Sequence, residues 1–135
     1  MRLLLLVTVA AILAGGAAVL YCIPPGPGSL YPRCLFHSLT GLYCPGCGST
    51  RCLHALVHGN VRQAAAFNVL LLLALPFLVC WGIRCLWNVG KPRTGSGWRL
   101  PAWTIYTLFG IVVTYWILRN IPCPPFELLA PHTLP

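Results

Sequence analysis

Acidic residues are almost absent from this chain: Glu127 is the one carboxylate side chain in 135 residues, against nine Lys and Arg. General acid and base work by paired carboxylates needs two such groups close together, so glycosidase, nuclease and two-metal hydrolase chemistry falls away. Charge of either sign is scarce, at 7% of residues, where a water-soluble domain carries about a quarter. With 58% of the residues apolar, the composition calls for a lipid solvent and an integral membrane protein. The formal net charge of +8 is spread singly along the chain, with no basic run or stripe. Nucleic acid is therefore not an expected partner, and membrane topology accounts better for the cations.

Long apolar runs set the expected architecture: all-α, with three transmembrane helices over about 3–21, 64–87 and 100–118 in one membrane domain. About 20 apolar residues suffice to cross the hydrocarbon core. A cleaved signal peptide competes for the first run, but Val19-Leu20-Tyr21-Cys22 is a poor cleavage sequence, so a retained span is the expectation. Pro76 should kink the second run. Trp98, Trp103, Tyr115 and Trp116 sit near the ends of the third, as interfacial aromatics do. Arg84, Lys91, Arg93 and Arg99 surround the turn Asn88 to Trp98, whose Pro92, Gly95 and Gly97 forbid a helix. Cations favour the cytoplasmic side. The multi-pass chain then has its N-terminus inside the cell membrane and its C-terminal tail, 119–135, outside.

Between the first two runs, residues 22–60 form an outer-face segment. Cys22 to Tyr43 is broken by Pro24, Pro25, Gly26, Pro27, Gly28 and Pro32 and reads as a loop. Thr50 to His58 reads as a short amphipathic helix, with Leu53, Leu56 and Val57 on one side and Arg51, His54 and His58 on the other. Gly59 is its natural stop, and Asn60 with Gln63 resembles a capping box opening the next helix. Asn68, polar within an apolar run, is expected to hydrogen-bond across helices.

The chemistry-bearing stretch is Cys44-Pro45-Gly46-Cys47-Gly48-Ser49-Thr50-Arg51, and it admits three readings. In the first it is structural: the glycines turn the backbone, Ser49 or Thr50 caps the helix, and the cysteines pack or pair quietly. In the second, Cys44 and Cys47 form a redox dithiol, with the helix dipole and Arg51 lowering a thiol pKa. Cys34 with Cys123 or Cys22 would supply the second pair that quinone-linked disulfide-generating enzymes carry. In the third, Cys44, Cys47, His54 and His58 hold zinc, although the six-residue spacing from Cys47 to His54 is short and Arg51 would repel a cation. Arg51 itself is costly near a membrane unless paired; Glu127 is its candidate partner, contested by Arg33, Arg62 and Arg119. Cys22, Cys34, Cys44, Cys47, Cys52 and Cys123 fall on the oxidising side, so disulfides are plausible there. Cys80 and Cys85 read as buried small apolar residues. His37 and His132 have no usable spacing.

The motif resembles the family of small bacterial membrane proteins known as domain of unknown function 2752. Its signature, Cys-Pro-x-Cys-Gly-x-Thr-Arg, is matched by Cys44, Pro45, Cys47, Gly48, Thr50 and Arg51. Gly59, an alanine among 64–66, and Asn68 match the pattern that follows, and the resemblance extends to Arg119-Asn120-Ile121-Pro122. Asn60 stands where an acid is usual, and Val69 replaces a proline, which should straighten the helix entry. The resemblance implies that Cys44, Cys47, Thr50 and Arg51 act as one unit and implies no activity. The leading expectation is a non-enzymatic accessory or interaction component with the lipid bilayer and a membrane protein as partners and no required cofactor. A thiol-disulfide oxidoreductase and a zinc site are the alternatives.

Overall fold

The computed structural model describes residues 2–26, 28–89 and 101–134. Among them are five α-helices, a 3-10 turn and no strand: α1 (Arg2–Cys22), α2 (Leu35–Thr40), α3 (Ser49–Val57), α4 (Val61–Asn88), α5 (Ala102–Leu118) and the turn Phe126–Leu129. The basic loop expected to vote for the cytoplasmic side, with Lys91, Arg93, Trp98 and Arg99, lies outside the described residues.

Helices α1 and α4 are long and apolar enough to cross a membrane, and α5, at 17 residues, is a shorter apolar helix. Leu, Val, Ile, Phe and Trp side chains stand exposed along much of all three. A helix apolar on all sides has no single face to turn toward a protein core, and lipid is the solvent that suits it. The buried residues gather instead at one end, around α3 and the first turns of α4.

That end is a tight helical hairpin. Cys52 and Ala55 on α3 meet Ala64 on α4, with Leu56, Phe67, Leu71 and Leu72 packed around them. The buried seam of α3 is thus Cys52 and Ala55; Val57, expected on the apolar side, is exposed. Small side chains win the seam because they let the two backbones approach closely. Gly59 turns the corner at φ 76°, and the Asn60 side chain accepts a hydrogen bond from the Gln63 backbone N–H at 3.0 Å, capping α4.

Three expectations are corrected. The stretch before the motif is not loop throughout: α2 forms within it and ends at Gly41, whose φ of 73° closes the turn. Cys80 and Cys85 are exposed on α4 rather than buried, since the described residues leave that part of the helix largely uncovered. The third concerns the kink. Non-helical backbone in α4 falls at Asn68 (φ −163°, ψ 92°), while Pro76 sits within helix.

Asn68 breaks the helix without the proline usual after it because its side chain supplies what the break removes. Its Oδ1 accepts from the Leu71 N–H at 3.0 Å, acting as a cap for the helix beyond. The same oxygen accepts from the Tyr115 hydroxyl at 3.3 Å, tying α4 to α5. Tyr115 is thereby buried rather than interfacial. Asn68→Ala should orphan the Leu71 N–H and the Tyr115 hydroxyl and cost about 2 kcal/mol or more. A thermal unfolding scan of the detergent-solubilised protein should show the drop, with Asn60→Ala, which loses only an exposed cap, costing about 1 kcal/mol.

Candidate metal centre

The motif folds as a turn followed by a helix. Cys47 N–H donates to the Cys44 carbonyl at 3.0 Å and Ser49 N–H to the Gly46 carbonyl at 3.1 Å. Gly48, at φ 84°, then directs the chain into α3. It does more than turn: a Cβ there would lie 2.5 Å from the Phe67 carbonyl oxygen, so the motif meets α4 backbone to backbone. Neither Ser49 nor Thr50 caps the helix; Gly48 occupies the cap position, with no side-chain hydrogen bond.

The turn brings thiols together, and a third joins them. Cys44 Sγ lies 3.1 Å from Cys47 Sγ and 3.5 Å from Cys34 Sγ, and all three sulfurs fall within 4.8 Å of one another. Cys34 reaches the pair because α2 and the turn at Gly41 fold residues 34–43 back on themselves. Cys47 is buried, and Cys34 and Cys44 are half-buried. Cys22 and Cys123, the expected partners of Cys34, are exposed and lie outside the cluster.

The histidines do not join. The His58 ring stacks on Tyr21, with centroids 4.5 Å apart, and His54 packs against His58 at 4.4 Å. His54 Nδ1 meets the Leu20 carbonyl and His58 Nδ1 the His54 carbonyl. Their work is to fasten α1 to α3. Of the candidate set Cys44, Cys47, His54 and His58, the structure brings together the two cysteines, and the group that could hold a metal ion is Cys34, Cys44 and Cys47. Four residues of spacing put both imidazoles on one face, but that face looks toward α1.

Beneath the turn lies the residue that sequence reasoning passed over. Arg119, at the end of α5, is 1% exposed. Its Nη1 donates to the Cys44 and Pro45 carbonyls at 2.9 and 3.1 Å, and its Nη2 to the Cys47 carbonyl at 3.1 Å. The guanidinium carbon sits 4.9 Å from the Tyr115 ring centroid, within cation–π range. Asn68 Nδ2 donates to the Pro45 and Cys47 carbonyls as well, at 3.0 and 3.3 Å. Asn120 brackets Tyr43, accepting from its N–H at 2.8 Å and donating to its carbonyl at 2.9 Å. With their carbonyls drawn down onto Arg119 and Asn68, the residues from 43 to 47 are held in one conformation. The clue in the sequence was the Arg119-Asn120-Ile121-Pro122 segment, which carried part of the resemblance without a stated role.

Arg51, by contrast, is exposed and makes no ion pair with Glu127, itself exposed on the 3-10 turn. Among the described residues no salt bridge joins them, and neither Arg51 nor Thr50 lies in the hydrogen-bonded scaffold under the turn.

Electrostatics separates the thiols. The His37 backbone N–H holds the Cys34 thiol below its ordinary pKa, aided by hydrogen bonds from Cys47 and Cys44. Burial pushes the Cys47 thiol up to about 12, and the hydrogen bonds with Cys44 and Cys34 act in the same direction. The helix dipole was expected to lower a thiol of the Cys44 and Cys47 pair; at Cys47, next to the start of α3, desolvation acts in the opposite direction and prevails.

These features define a class: a small all-helical protein with long apolar helices that presents a three-cysteine cluster on a turn clamped from below by buried Arg and Asn. Residues 34–82 match the model of the family described as Protein of unknown function (DUF2752), the family whose signature the motif resembles. The match begins at Cys34 and ends within α4, short of Arg119. No curated protein and no solved structure matches the chain.

Gly48→Ala should be strongly destabilising, because the left-handed backbone and the 2.5 Å approach to Phe67 both penalise a side chain; left-handed strain alone costs about 1–2 kcal/mol. Failure of the variant to accumulate, or a large drop in unfolding temperature, is the expected readout. Arg119→Lys should not rescue the loss caused by Arg119→Gln, since an ammonium cannot present the planar fork that reaches three carbonyls. In chelator-treated protein, iodoacetamide should modify Cys34 at a lower pH than Cys47: a lowered pKa supplies thiolate earlier as pH rises, and a raised one later. Peptide mass spectrometry across a pH series checks the order.

Proposed function

We propose that this protein is a multi-pass component of the cell membrane whose outer-facing cysteine triad, Cys34, Cys44 and Cys47, holds a soft divalent metal, with zinc the first candidate. The observation that carries this reading is the convergence of three sulfurs. Tetrahedral zinc with bonds of about 2.3 Å would set its sulfur ligands roughly 3.8 Å apart. The contacts of 3.1 and 3.5 Å lie a little inside that spacing, and the remaining pair falls within 4.8 Å. Three thiolates suit thiophilic metals in preference to magnesium or calcium. Bound metal would also deprotonate the thiols it coordinates, including the buried Cys47.

In this reading the chain spans three times, through α1, α4 and α5. At 1.5 Å per residue α5 is about 26 Å long, near the thickness of the hydrocarbon core. The N-terminus faces the cytoplasm and the cysteine turn faces outward. The role is that of a non-enzymatic accessory subunit: a rigid turn, metal-stabilised, offered to a membrane protein partner. One contact favours a second reading. Cys44 Sγ touches both other sulfurs, the arrangement a thiol-disulfide relay needs, in which two thiols give two electrons and two protons to an oxidised dithiol partner as their disulfide forms.

Elemental analysis of detergent-purified protein separates the two. Near-stoichiometric zinc is expected, with most of it lost in Cys34→Ser and in Cys44→Ser, while Cys123→Ser keeps it. Bulky-maleimide trapping on intact cells gives the complementary result: thiols released by chelator support the metal, and thiols released only by reductant overturn it in favour of the relay.

A further inference from the structure

The cysteine triad opens into a cavity of about 740 Å³, within the size range of small-molecule sites. Arg33 and Arg51 both line it, together with Thr50 and the three cysteines. Each arginine belongs to a segment that builds the triad: Arg33 directly precedes Cys34, and Arg51 lies in the first turn of α3, four residues after Cys47. Neither guanidinium has a hydrogen bond or ion pair among the described residues. No carboxylate lines the cavity, and Glu127, the chain's single acid, is not among its walls. The cavity thus holds two uncompensated cations whose fixed fork of donors suits oxyanions.

We propose that this cavity binds a phosphate-bearing anion, held between Arg33 and Arg51 above the cysteine triad. A carboxylate is satisfied by one guanidinium, whereas a phosphate has oxygens enough to engage two. The same chemistry is offered by a soluble phosphate compound and by the headgroup of a phospholipid. The proposal stands on the cavity and its cations and does not depend on a metal being bound.

Equilibrium dialysis of the full-length protein in a neutral detergent against radiolabelled inorganic phosphate, at low ionic strength, tests it. Saturable binding near one phosphate per chain is expected. Arg33→Gln with Arg51→Gln should weaken it at least tenfold, and Arg62→Gln, an exposed arginine outside the cavity, should leave it unchanged. Both cavity arginines are exposed, so the double variant should fold, and an unaltered unfolding temperature checks that it does. Displacement of the phosphate on transfer to phosphatidylglycerol nanodiscs assigns the lipid headgroup as ligand; retention assigns a soluble phosphate. Absence of saturable binding, or binding undiminished in the double variant, overturns the proposal. Zinc measured in the same samples reports on the metal separately, because the arginine substitutions should leave it intact.

Discussion

A guanidinium buried without an acid is the constraint on which the rest of this structure depends. Arg119 answers the cost of its burial with carbonyl oxygens and an aromatic ring rather than a carboxylate. Carbonyl oxygens must come from a backbone that has turned away from regular structure, and the Cys44–Cys47 turn is that backbone. The two needs are met by one arrangement: the turn has carbonyls with no helical partner, and the arginine has donors with no acid. Asn68 adds a second set of donors from α4, and placing them requires the helix to break there. Gly48 then has to be glycine, because the broken helix brings the Phe67 carbonyl against it.

Much of this arrangement was legible in the sequence and one part was not, for a physical reason. Hydropathy located the three apolar helices, since each is a property of a continuous run. Local capping chemistry placed the corner at Gly59 and Asn60, where partners lie within three residues. What escaped were contacts between segments far apart in the chain. Cys34 lies ten residues before Cys44, across a breaker-rich stretch whose fold-back depends on α2. In sequence Arg119 is one of several cations at helix ends, and nothing local marks it as the buried one in place of Arg51 inside the motif. Spacing on a helix told that His54 and His58 share a face and could not tell that this face meets α1.

The division of labour within the motif follows. Cys44 and Cys47 contribute sulfur above the turn, and Pro45 and the two cysteine carbonyls are spent on the scaffold below. Arg51 and Thr50, although in the same signature, point to the open cavity instead of the scaffold. The signature therefore joins two kinds of constraint, one on holding the turn and one on what approaches it.

The clamp also sets an order of events in biosynthesis. Arg119 follows the carbonyls it holds by 72 to 75 residues, so a ribosome working at roughly 5–20 residues per second exposes the cysteine turn for about 4–15 s before the arginine is made. Until α5 is in place, the turn is held only by its own hydrogen bonds and by Asn68 from α4, without the three bonds that Arg119 supplies. The nascent chain therefore passes through an interval in which the cysteine turn exists with only part of its clamp. The geometry of the three thiols is therefore completed only after α5 has been made.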